Sequence, residues 1–269
     1  MRTVLICHDE NLIDRDGMSR WLGSFSDLAG IIVLRENGGR KFKRIRREIG
    51  RVGLLRFFDV TAFRLYYKMF LASSDRAWES DLNGEIAKKY GDLGDVPTLV
   101  THSPNSPEAE QFIRETQADI IIARCKVILN KRIFLLAKHG TFVMHPGVCP
   151  EYRNAHGCFW ALANGDDKNV GMTLLRVDEG VDTGPIYGYF TYDFDSLDES
   201  HIKIQTRVVT ENLDRVRDKL IEIVSGDATP IDTSGRTSGA WGHPWLSKYL
   251  GWKSRARQER NAAYQHHVS

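Results

Sequence analysis

The pattern of apolar residues predicts an α/β fold from the N-terminus onwards. Short β-branched runs at residues 3–7 and 31–34 predict two strands, and residues 12–24 between them have the spacing of a helix. Residues 97–101 predict a third strand, and residues 107–117 a helix with proline in its first turn. This alternation is the βαβ pattern of a mostly parallel sheet.

The next strand candidate carries the clearest signal in the chain. Residues 118–123 are continuously apolar after Asp119, which indicates a strand covered on both faces. Residues 130–138 predict a short helix that ends at Gly140, and residues 141–144 predict the strand that follows. Because Pro146 stops this strand, we expect His145 at its C-terminal end, where open α/β sheets hold ligands.

The pattern changes in the C-terminal half. Residues 170–177 and 186–192 are β-rich and are expected to pair antiparallel on either side of a loop that carries Asp182. Residues 196–199, Ser-Leu-Asp-Glu, fit a capping box, and apolar positions from Ile204 to Ile223 predict one long helix ended by Gly226. The predicted fold is therefore Rossmann-like, with a mostly parallel sheet and antiparallel strands towards the C-terminus.

A helical insertion is predicted after the second strand, at residues 38–90. Residues 40–51 hold seven basic residues and one acidic residue, with apolar positions at helical spacing, which predicts a basic amphipathic helix. Residues 54–72 are rich in Leu, Phe and Tyr and predict a second helix. We expect the pair to pack on the sheet or on a second copy of the chain in a homodimer. The alternative is weak contact with a membrane surface through residues 40–72.

The domain organisation follows from these elements. We predict one catalytic domain at residues 1–228 and an aromatic extension with a polar tail at residues 229–269. Trp241, Trp245 and Trp252 are expected to strap the extension across the body, because three exposed indoles would be costly in water.

Composition adds little to this picture. With 269 residues, of which 42% are hydrophobic, the chain can bury a large core. A net charge of +2 does not argue for a nucleic-acid partner. We see no signal peptide and no uncharged run of about 18 residues that could span a membrane. The four cysteines form no C-x-x-C pair, so we expect reduced thiols in a cytoplasmic protein.

His145 and Asp182, on separate loops, are the candidate acid–base pair. Three alternatives remain open. The pair could bind a metal with His156 as third ligand, although we expect no metal. Cys149 or Cys158 could be a nucleophile activated by histidine, or His145 could be a satisfied structural side chain. No glycine-rich phosphate loop follows the first strand, so a dinucleotide fingerprint is absent.

Residues 118–187 resemble the formyltransferase family, which contains glycinamide ribonucleotide formyltransferase, methionyl-tRNA formyltransferase and the N-formyltransferases of amino sugars. Residues 118–129 are similar to its strand and folate-binding loop. His145-Pro-Gly-Val-Cys-Pro150 and Tyr152-Arg153 are similar to its His-Pro-Ser-Leu-Leu-Pro and Tyr-Arg motifs. Gly180-Val-Asp-Thr-Gly184 is similar to its aspartate loop.

The resemblance implies transfer of a formyl group from 10-formyltetrahydrofolate to an amine, with His145 and Asp182 as the catalytic pair. It also implies two backbone segments that hold the pterin, namely Val127, Ile128 and Leu129, and Glu179, Gly180 and Val181. We expect a small-molecule amine as acceptor, with a nucleotide-linked amino sugar as one candidate. We see no second β-rich domain like that of the tRNA-directed members, so no nucleic-acid partner is expected. The missing glycine-rich loop after the first strand disfavours glycinamide ribonucleotide as the acceptor.

One departure from the family pattern matters, and it is at Val143. The transferases carry Asn two residues before the histidine, and residues two apart on a strand share a face. Loss of one oxyanion donor typically costs about 2.7–4 kcal/mol of transition-state stabilisation. Three accounts remain: a protonated His145 acts alone, Arg153, Asn154 or His156 replaces the amide, or the reaction differs.

Hydrolysis is the leading different reaction, because the hydrolase domain of formyltetrahydrofolate dehydrogenase also has an apolar residue before its histidine. A non-catalytic folate-binding module is the third hypothesis. It is disfavoured because binding alone would need neither His145 nor Asp182.

Overall fold

A computed structural model describes residues 1–35, 50 and 53–268. Within these residues the main sheet has seven strands in the order β3-β2-β1-β4-β5-β7-β8, and β6 and β9 form a separate pair. The strands are β1 Arg2–His8, β2 Asp27–Leu34, β3 Thr98–Thr101, β4 Ile120–Arg124, β5 Thr141–His145, β6 Arg153–Asn154, β7 Met172–Arg176, β8 Ile186–Phe190 and β9 Ala240–Trp241.

The sheet confirms the predicted fold class. β1 to β5 pair in parallel, whereas β7 pairs antiparallel with both β5 and β8. The chain leaves β1 towards β2 on one side and later returns to β4 on the other. The order of the strands therefore reverses beside β1, and the crevice outside their carboxyl ends is where such sheets bind ligands.

The helices lie on both faces of this sheet. A π-helical turn at Ile13–Gly17 leads into the first helix. The α-helices are α1 Met18–Phe25, α2 Leu54–Phe70, α3 Ala72–Tyr90, α4 Pro107–Thr116, α5 Lys131–Phe134, α6 Gly157–Ala163, α7 His201–Thr210, α8 Leu213–Ser225 and α9 Leu246–Val268.

Two apolar clusters show why the strands are continuously hydrophobic. Leu5 and Ile122 face α1 and α6 to α8, while Ile6 and Ile121 face α4 and α5. Each of these four side chains is 0% exposed. Alternate residues of the central strands thus enter different clusters, as the predicted burial of both faces requires.

The insertion is only partly described. The predicted basic helix at residues 40–51 lies outside the described residues except for Gly50. The second predicted helix is confirmed as α2, and α3 follows it directly, which the apolar pattern did not single out. α2 packs on the body through Phe63, whose ring centroid lies 5.8 Å from Phe159, 5.0 Å from His201 and 5.3 Å from Tyr249.

The opposite side of α2 is apolar and exposed. Phe58, Leu65, Met69 and Phe70 are 59–63% exposed. Within the described part of the chain, α2 therefore packs on the body through one face. Homodimer formation and membrane contact remain predictions for the other face. Among the helices that the structure describes, none combines the length and the apolarity needed to cross a membrane.

The capping-box prediction was wrong. α7 begins after Ser200, whose Oγ accepts a hydrogen bond from the backbone N–H of Lys203. Ser196 instead accepts a hydrogen bond from Trp252 Nε1. Glu199 does reach back to a backbone N–H, that of Asp195, but the contact closes a loop before the helix. The Ser and the Glu three residues apart therefore stabilise a turn before the helix and do not cap the helix itself.

The single long helix is in fact two, α7 and α8. The break falls at Asn212, whose side-chain amide donates to the carbonyl oxygens of Val208 and Thr191. An Asn that bonds the backbone offers the chain an alternative to continuing the helix. The predicted end at Gly226 is confirmed, because this glycine has φ of 86°.

The C-terminal extension packs across the body as predicted. The Trp241 ring stacks on Trp160 at 4.8 Å, and Trp245 meets Trp160 edge-on at 5.1 Å. Trp252 is 2% exposed. The predicted polar tail is helical, and it forms the last part of α9, which ends at Val268.

Ser200→Ala is predicted to destabilise the fold by more than the loss of a helix cap. Ser200 Oγ lies 2.9 and 2.8 Å from the carboxylate oxygens of Asp75, which is 1% exposed. Burial raises the pKa of Asp75. The substitution loses a cap, worth about 1 kcal/mol, and removes a donor from a buried carboxyl, at a further cost of about 1–3 kcal/mol.

The matched control is Ser106→Ala, which removes the N-cap of α4. This variant should lower the free energy of unfolding, measured in urea, by about 1 kcal/mol. Equal losses of unfolding free energy in the two variants would contradict a specific role for the contact between Ser200 and Asp75.

Candidate functional site

His145 is the last residue of β5, where the sheet changes from parallel to antiparallel pairing. It lies opposite Thr173 of β7 and is 5% exposed. Its Nδ1 is 3.5 Å from Asp182 Oδ2, and its Nε2 is 2.8 Å from the carbonyl oxygen of Tyr152. Both neighbours are acceptors. An N–H on either ring nitrogen therefore has an acceptor beside it.

Asp182 is held by the backbone around it. Its φ is 51°, in the left-handed region that non-glycine residues seldom adopt. Its Oδ2 accepts the backbone N–H of Asn154 at 2.8 Å, and its side chain is 14% exposed. Arg153 Nη1 donates to the carbonyl oxygen of Val181 at 2.9 Å, which ties the aspartate loop to β6. The carboxylate is therefore positioned from two directions.

The loop after His145 depends on two glycines. A Cβ on Gly147 would lie 2.5 Å from the Tyr152 carbonyl oxygen and 2.7 Å from His145 Nε2. A Cβ on Gly157 would lie 2.5 Å from Gly147 Cα. The two backbone segments therefore touch without intervening side chains, as only glycine allows. In this way the start of α6 supports the histidine loop.

The side chains of two predicted substitute donors, Arg153 and Asn154, hydrogen-bond elsewhere in the structure. Arg153 Nε donates to Ser238 Oγ at 2.9 Å, and Asn154 Nδ2 donates to the Trp241 carbonyl oxygen at 2.5 Å. Both side chains thus fasten the site to the C-terminal extension. His156 lines a separate cavity with His201. The structure brings His145 and Asp182 together and uses Arg153 and Asn154 around them.

Val143 lies where the strand register predicted. It is opposite Leu175 on β7, and His145 is opposite Thr173 two residues later. Val143 is partly buried against the cluster on the α4 and α5 face. A valine side chain at this position offers no hydrogen-bond donor.

The six predicted cofactor-binding residues lie on two neighbouring loops. Lys131 Nζ is 2.8 Å from Glu179 Oε1 and spans the gap between them. Ile128 is 66% exposed and Val181 is 40% exposed, so each loop presents an apolar side chain to solvent. The Ile128 carbonyl oxygen accepts a hydrogen bond from Asn105 Nδ2, which supports the first loop.

Arg124 was missed by the sequence reasoning. The pairing between β4 and β5 ends at Ile122 and Phe142, and Arg124 extends from the end of β4 beyond this point. Its Nε donates to Asp14 Oδ1 at 2.7 Å and its Nη1 to the Met144 carbonyl oxygen at 2.5 Å. It therefore holds the backbone directly before His145. An arginine at the end of an apolar strand was the available signal.

Two alternatives lose support. Cys149 and Cys158 are both 0% exposed, and burial raises the pKa of each thiol to about 12. Neither is a thiolate near neutral pH, which argues against a cysteine nucleophile. The residues that the structure describes contain no cluster of three or more His, Cys, Asp or Glu side chains arranged to hold a metal ion.

Known proteins resemble part of this chain. The model of the family described as "Formyl transferase" matches residues 83–215. Methionyl-tRNA formyltransferase of Thermotoga neapolitana is 30% identical over 141 residues, which cover 50% of this chain and 45% of the relative. The enzyme of the same name from Sorangium cellulosum is 30% identical over 183 residues, which cover 64% and 55%. The chain spans about half the length of these relatives.

Solved structures share the fold. A sugar N-formyltransferase from a Shewanella species aligns with TM-score 0.54 at 14% identity, over 95% of this chain and 88% of that one. Phosphoribosylglycinamide formyltransferase from Anaplasma phagocytophilum aligns with TM-score 0.53 at 15% identity, over 88% and 95%.

Gly157→Ala is predicted to disturb the histidine loop, because the new Cβ would meet backbone atoms at 2.5 and 2.7 Å. We expect a loss of about 1–3 kcal/mol in urea unfolding, as for other overpacked sites. Gly251→Ala is the control. That glycine lies in α9 with nothing within 4 Å of an added Cβ, and alanine there should stabilise by up to about 1 kcal/mol. Equal stability of the two variants would refute the tight contact.

Proposed function

We propose, from the match of residues 83–215 to the formyl transferase family, that this chain transfers a formyl group from 10-formyltetrahydrofolate to the amine of a small molecule. One observation carries the proposal. A buried imidazole ends β5 with a carboxylate 3.5 Å from its Nδ1 and a carbonyl oxygen at its Nε2. A histidine paired in this way can move a proton during acyl transfer.

The proposed donor site fits the two loops around residues 127–129 and 179–181. The exposed side chains of Ile128 and Val181 give apolar contacts suited to a flat heterocycle. When bound there, 10-formyltetrahydrofolate supplies the electrophilic formyl carbon that an amine attacks. The ion pair of Lys131 and Glu179 joins the two loops on either side of it.

The proposed roles of the catalytic residues follow from their neighbours. The Tyr152 carbonyl oxygen orients the ring through Nε2. Asp182 stabilises the positive charge when Nδ1 carries a proton. The distance of 3.5 Å is longer than a hydrogen bond, and such contacts often tighten only when substrates bind. The imidazolium also supplies positive charge beside the oxygen that becomes negative. This matters here because Val143 has no donor.

The acceptor is proposed to be a small amine, with a nucleotide-linked amino sugar as the leading candidate. β1 is followed by His8-Asp-Glu-Asn11 rather than by a glycine-rich loop. Asn11 there bonds Asp14 through both its amide nitrogen and its amide oxygen. A phosphate cradle of backbone N–H groups is thus not the motif at this position.

Hydrolysis of 10-formyltetrahydrofolate is the second candidate, and Val143 is the observation that favours it. Water needs less positioning than a large amine, whereas transfer by the family uses an amide at this position. The two reactions are separated by incubation with the folate and no amine. Rapid formate release without amine, together with no formylation of any amine in a panel, would support hydrolysis and overturn the transferase proposal.

His145→Gln and Asp182→Asn are each predicted to lower kcat/KM by roughly 10²–10⁴-fold, the usual contribution of a positioned acid–base group. Turnover is measured as deformylated folate released in the presence of a panel of amines, and the thermal unfolding midpoint verifies the fold. His102→Gln changes an exposed histidine and should leave turnover unchanged. Activity within threefold of the parent in either site variant would refute the assignment.

Val143→Asn is predicted to raise the kcat of amine formylation by about tenfold or more, because it restores an amide on the face of His145. Formate release without amine should stay constant. Val143→Ala is the control for altered packing and should give no gain. An equal gain in both variants, or no gain in Val143→Asn, would show that the missing amide does not limit transfer.

A further inference from the structure

Residues 236–242 of the C-terminal extension run along the loop that follows His145, and we call this segment the strap. Its strand β9 pairs in parallel with β6. The backbone N–H of Arg153 donates to the carbonyl oxygen of Gly239 at 2.9 Å, and the N–H of Gly239 donates to the carbonyl oxygen of Pro150 at 3.0 Å. The strap is therefore joined by backbone hydrogen bonds to both ends of the stretch from Pro150 to Arg153.

The side chain of Trp241 adds to these backbone contacts. Its Nε1 donates to the carbonyl oxygen of Glu151 at 2.8 Å. Its ring stacks on Tyr152, with 5.8 Å between the ring centroids. The carbonyl oxygen of Trp241 accepts a hydrogen bond from Asn154 Nδ2. This one residue of the strap thus contacts the loop at residues 151, 152 and 154.

Arg236 makes the charged contact between the strap and the loop. Its Nε and Nη2 donate to the two carboxylate oxygens of Glu151 at 2.9 and 2.7 Å. Its Nη1 donates to the hydroxyl oxygen of Tyr189, which in turn donates to the carbonyl oxygen of Cys149. The side chains of Arg236 and Glu151 are 31% and 23% exposed. A bidentate pair that is partly shielded from water holds its geometry better than an ordinary surface ion pair.

The loop under the strap carries two backbone groups that orient the catalytic pair. The carbonyl oxygen of Tyr152 lies 2.8 Å from His145 Nε2, and the N–H of Asn154 donates to Asp182 Oδ2 at 2.8 Å. Trp241 contacts both Tyr152 and Asn154. A displacement of the strap would therefore move the acceptor beside the imidazole and the donor to the carboxylate together.

The backbone is unusual where the strap meets it. Asn154 has φ of 79° and His156 has φ of 56°, and Asp182 on the facing loop has φ of 51°. Few residues other than glycine adopt this region, and such conformations persist where the surroundings fix them. The strap supplies part of that fixation, because Asn154 is held by the pairing of β6 with β9 and by the Trp241 carbonyl oxygen.

The strap lies outside the family match. The model of the formyl transferase family covers residues 83–215, which include the loop and the catalytic pair, whereas the strap begins at residue 236. The pair within the matched region is thus oriented in part by a segment that the family model does not describe.

We infer that Arg236 and Trp241 are positioning residues for the reaction at His145 and Asp182. Arg236 acts through Glu151, and Trp241 acts through the loop residues that it contacts. The inference rests on the proposed function for the reaction that is positioned, but the geometry can be measured without any substrate. A segment that merely stabilised the fold would not affect the groups beside the catalytic pair more than the rest of the sheet.

The first test is amide hydrogen exchange of the whole chain without substrate. Arg236→Gln and Trp241→Phe should each speed the exchange of the Asn154 N–H, the donor to Asp182, by about tenfold or more, because the loop opens locally more often. Trp241→Phe keeps an aromatic ring and removes the Nε1 donor. The amides of β1 and β4, in the middle of the sheet, should exchange as in the parent and show that both variants are folded.

Arg260→Gln is the matched control. Arg260 lies in α9 and pairs with Asp195 and Asp198 at 2.7 and 3.0 Å, so this variant also removes an ion pair between the extension and the body. It should leave exchange at Asn154 unchanged. Arg236→Lys keeps the charge and one donor to Glu151 but loses the bidentate geometry, so it should restore part of the protection that Arg236→Gln loses.

The second measurement is turnover of 10-formyltetrahydrofolate with a panel of amines. Arg236→Gln and Trp241→Phe should each lower kcat by about tenfold or more, because small displacements of catalytic groups are costly. The KM for the folate should stay nearly unchanged, since the strap holds the acid–base pair and not the loops proposed for the folate. Arg260→Gln should keep the parental kcat.

The outcomes separate the inference from the proposed function. Parental exchange at Asn154 in both strap variants overturns the inference, whatever the chain turns over. Faster exchange throughout the sheet also overturns it, because the strap would then be a general stabiliser. Faster local exchange with parental kcat overturns the positioning role. Faster local exchange in a chain that neither formylates an amine nor releases formate supports the geometry and refutes the proposed function.

Discussion

The contact between the backbones of Gly147 and Gly157 is the constraint on which the site depends. It sets the distance between the end of β5 and the start of α6. His145, the Tyr152 carbonyl oxygen and the N–H of Asn154 are all placed on one side or the other of it. Asp182 then meets His145 because its carboxylate bonds that N–H. The acid–base geometry is thus largely a backbone property, imposed where a side chain cannot fit.

The change from parallel to antiparallel pairing at β5 also shapes the site. β7 runs back along β5, with Arg176 opposite Phe142, so the aspartate loop leaves the sheet near the beginning of β5. Asp182 nevertheless reaches His145 at the other end of that strand. The loop therefore passes along β5, past the position of Val143. Val143 packs against the apolar cluster on the α4 and α5 face, at a position where family transferases carry an amide.

Much of the fold could be predicted from the sequence because its signals are local. Continuous apolar runs gave the strands of the sheet, and a proline after a strand placed His145 at its end. Ser200 could not be identified as a cap, because what distinguishes it is a contact with Asp75, 125 residues away. Arg124 depends likewise on where β4 and β5 separate. The cavity lined by His156 and His201 also has Phe63 and His243 in its walls. Residues so far apart in the chain share no local pattern that could predict it.

The bridge between Lys131 and Glu179 has a consequence for entry into the site. Both side chains are about two-thirds exposed, at 68% and 71%, and they join the two loops proposed to hold the folate. Exposed pairs of this kind contribute only about 0–1 kcal/mol and weaken as salt is added. The ion pair that joins the loops is therefore weak enough to break and re-form readily. A flat ligand could enter between them without unfolding any strand or helix, and the rigid part of the machinery would stay below, around His145.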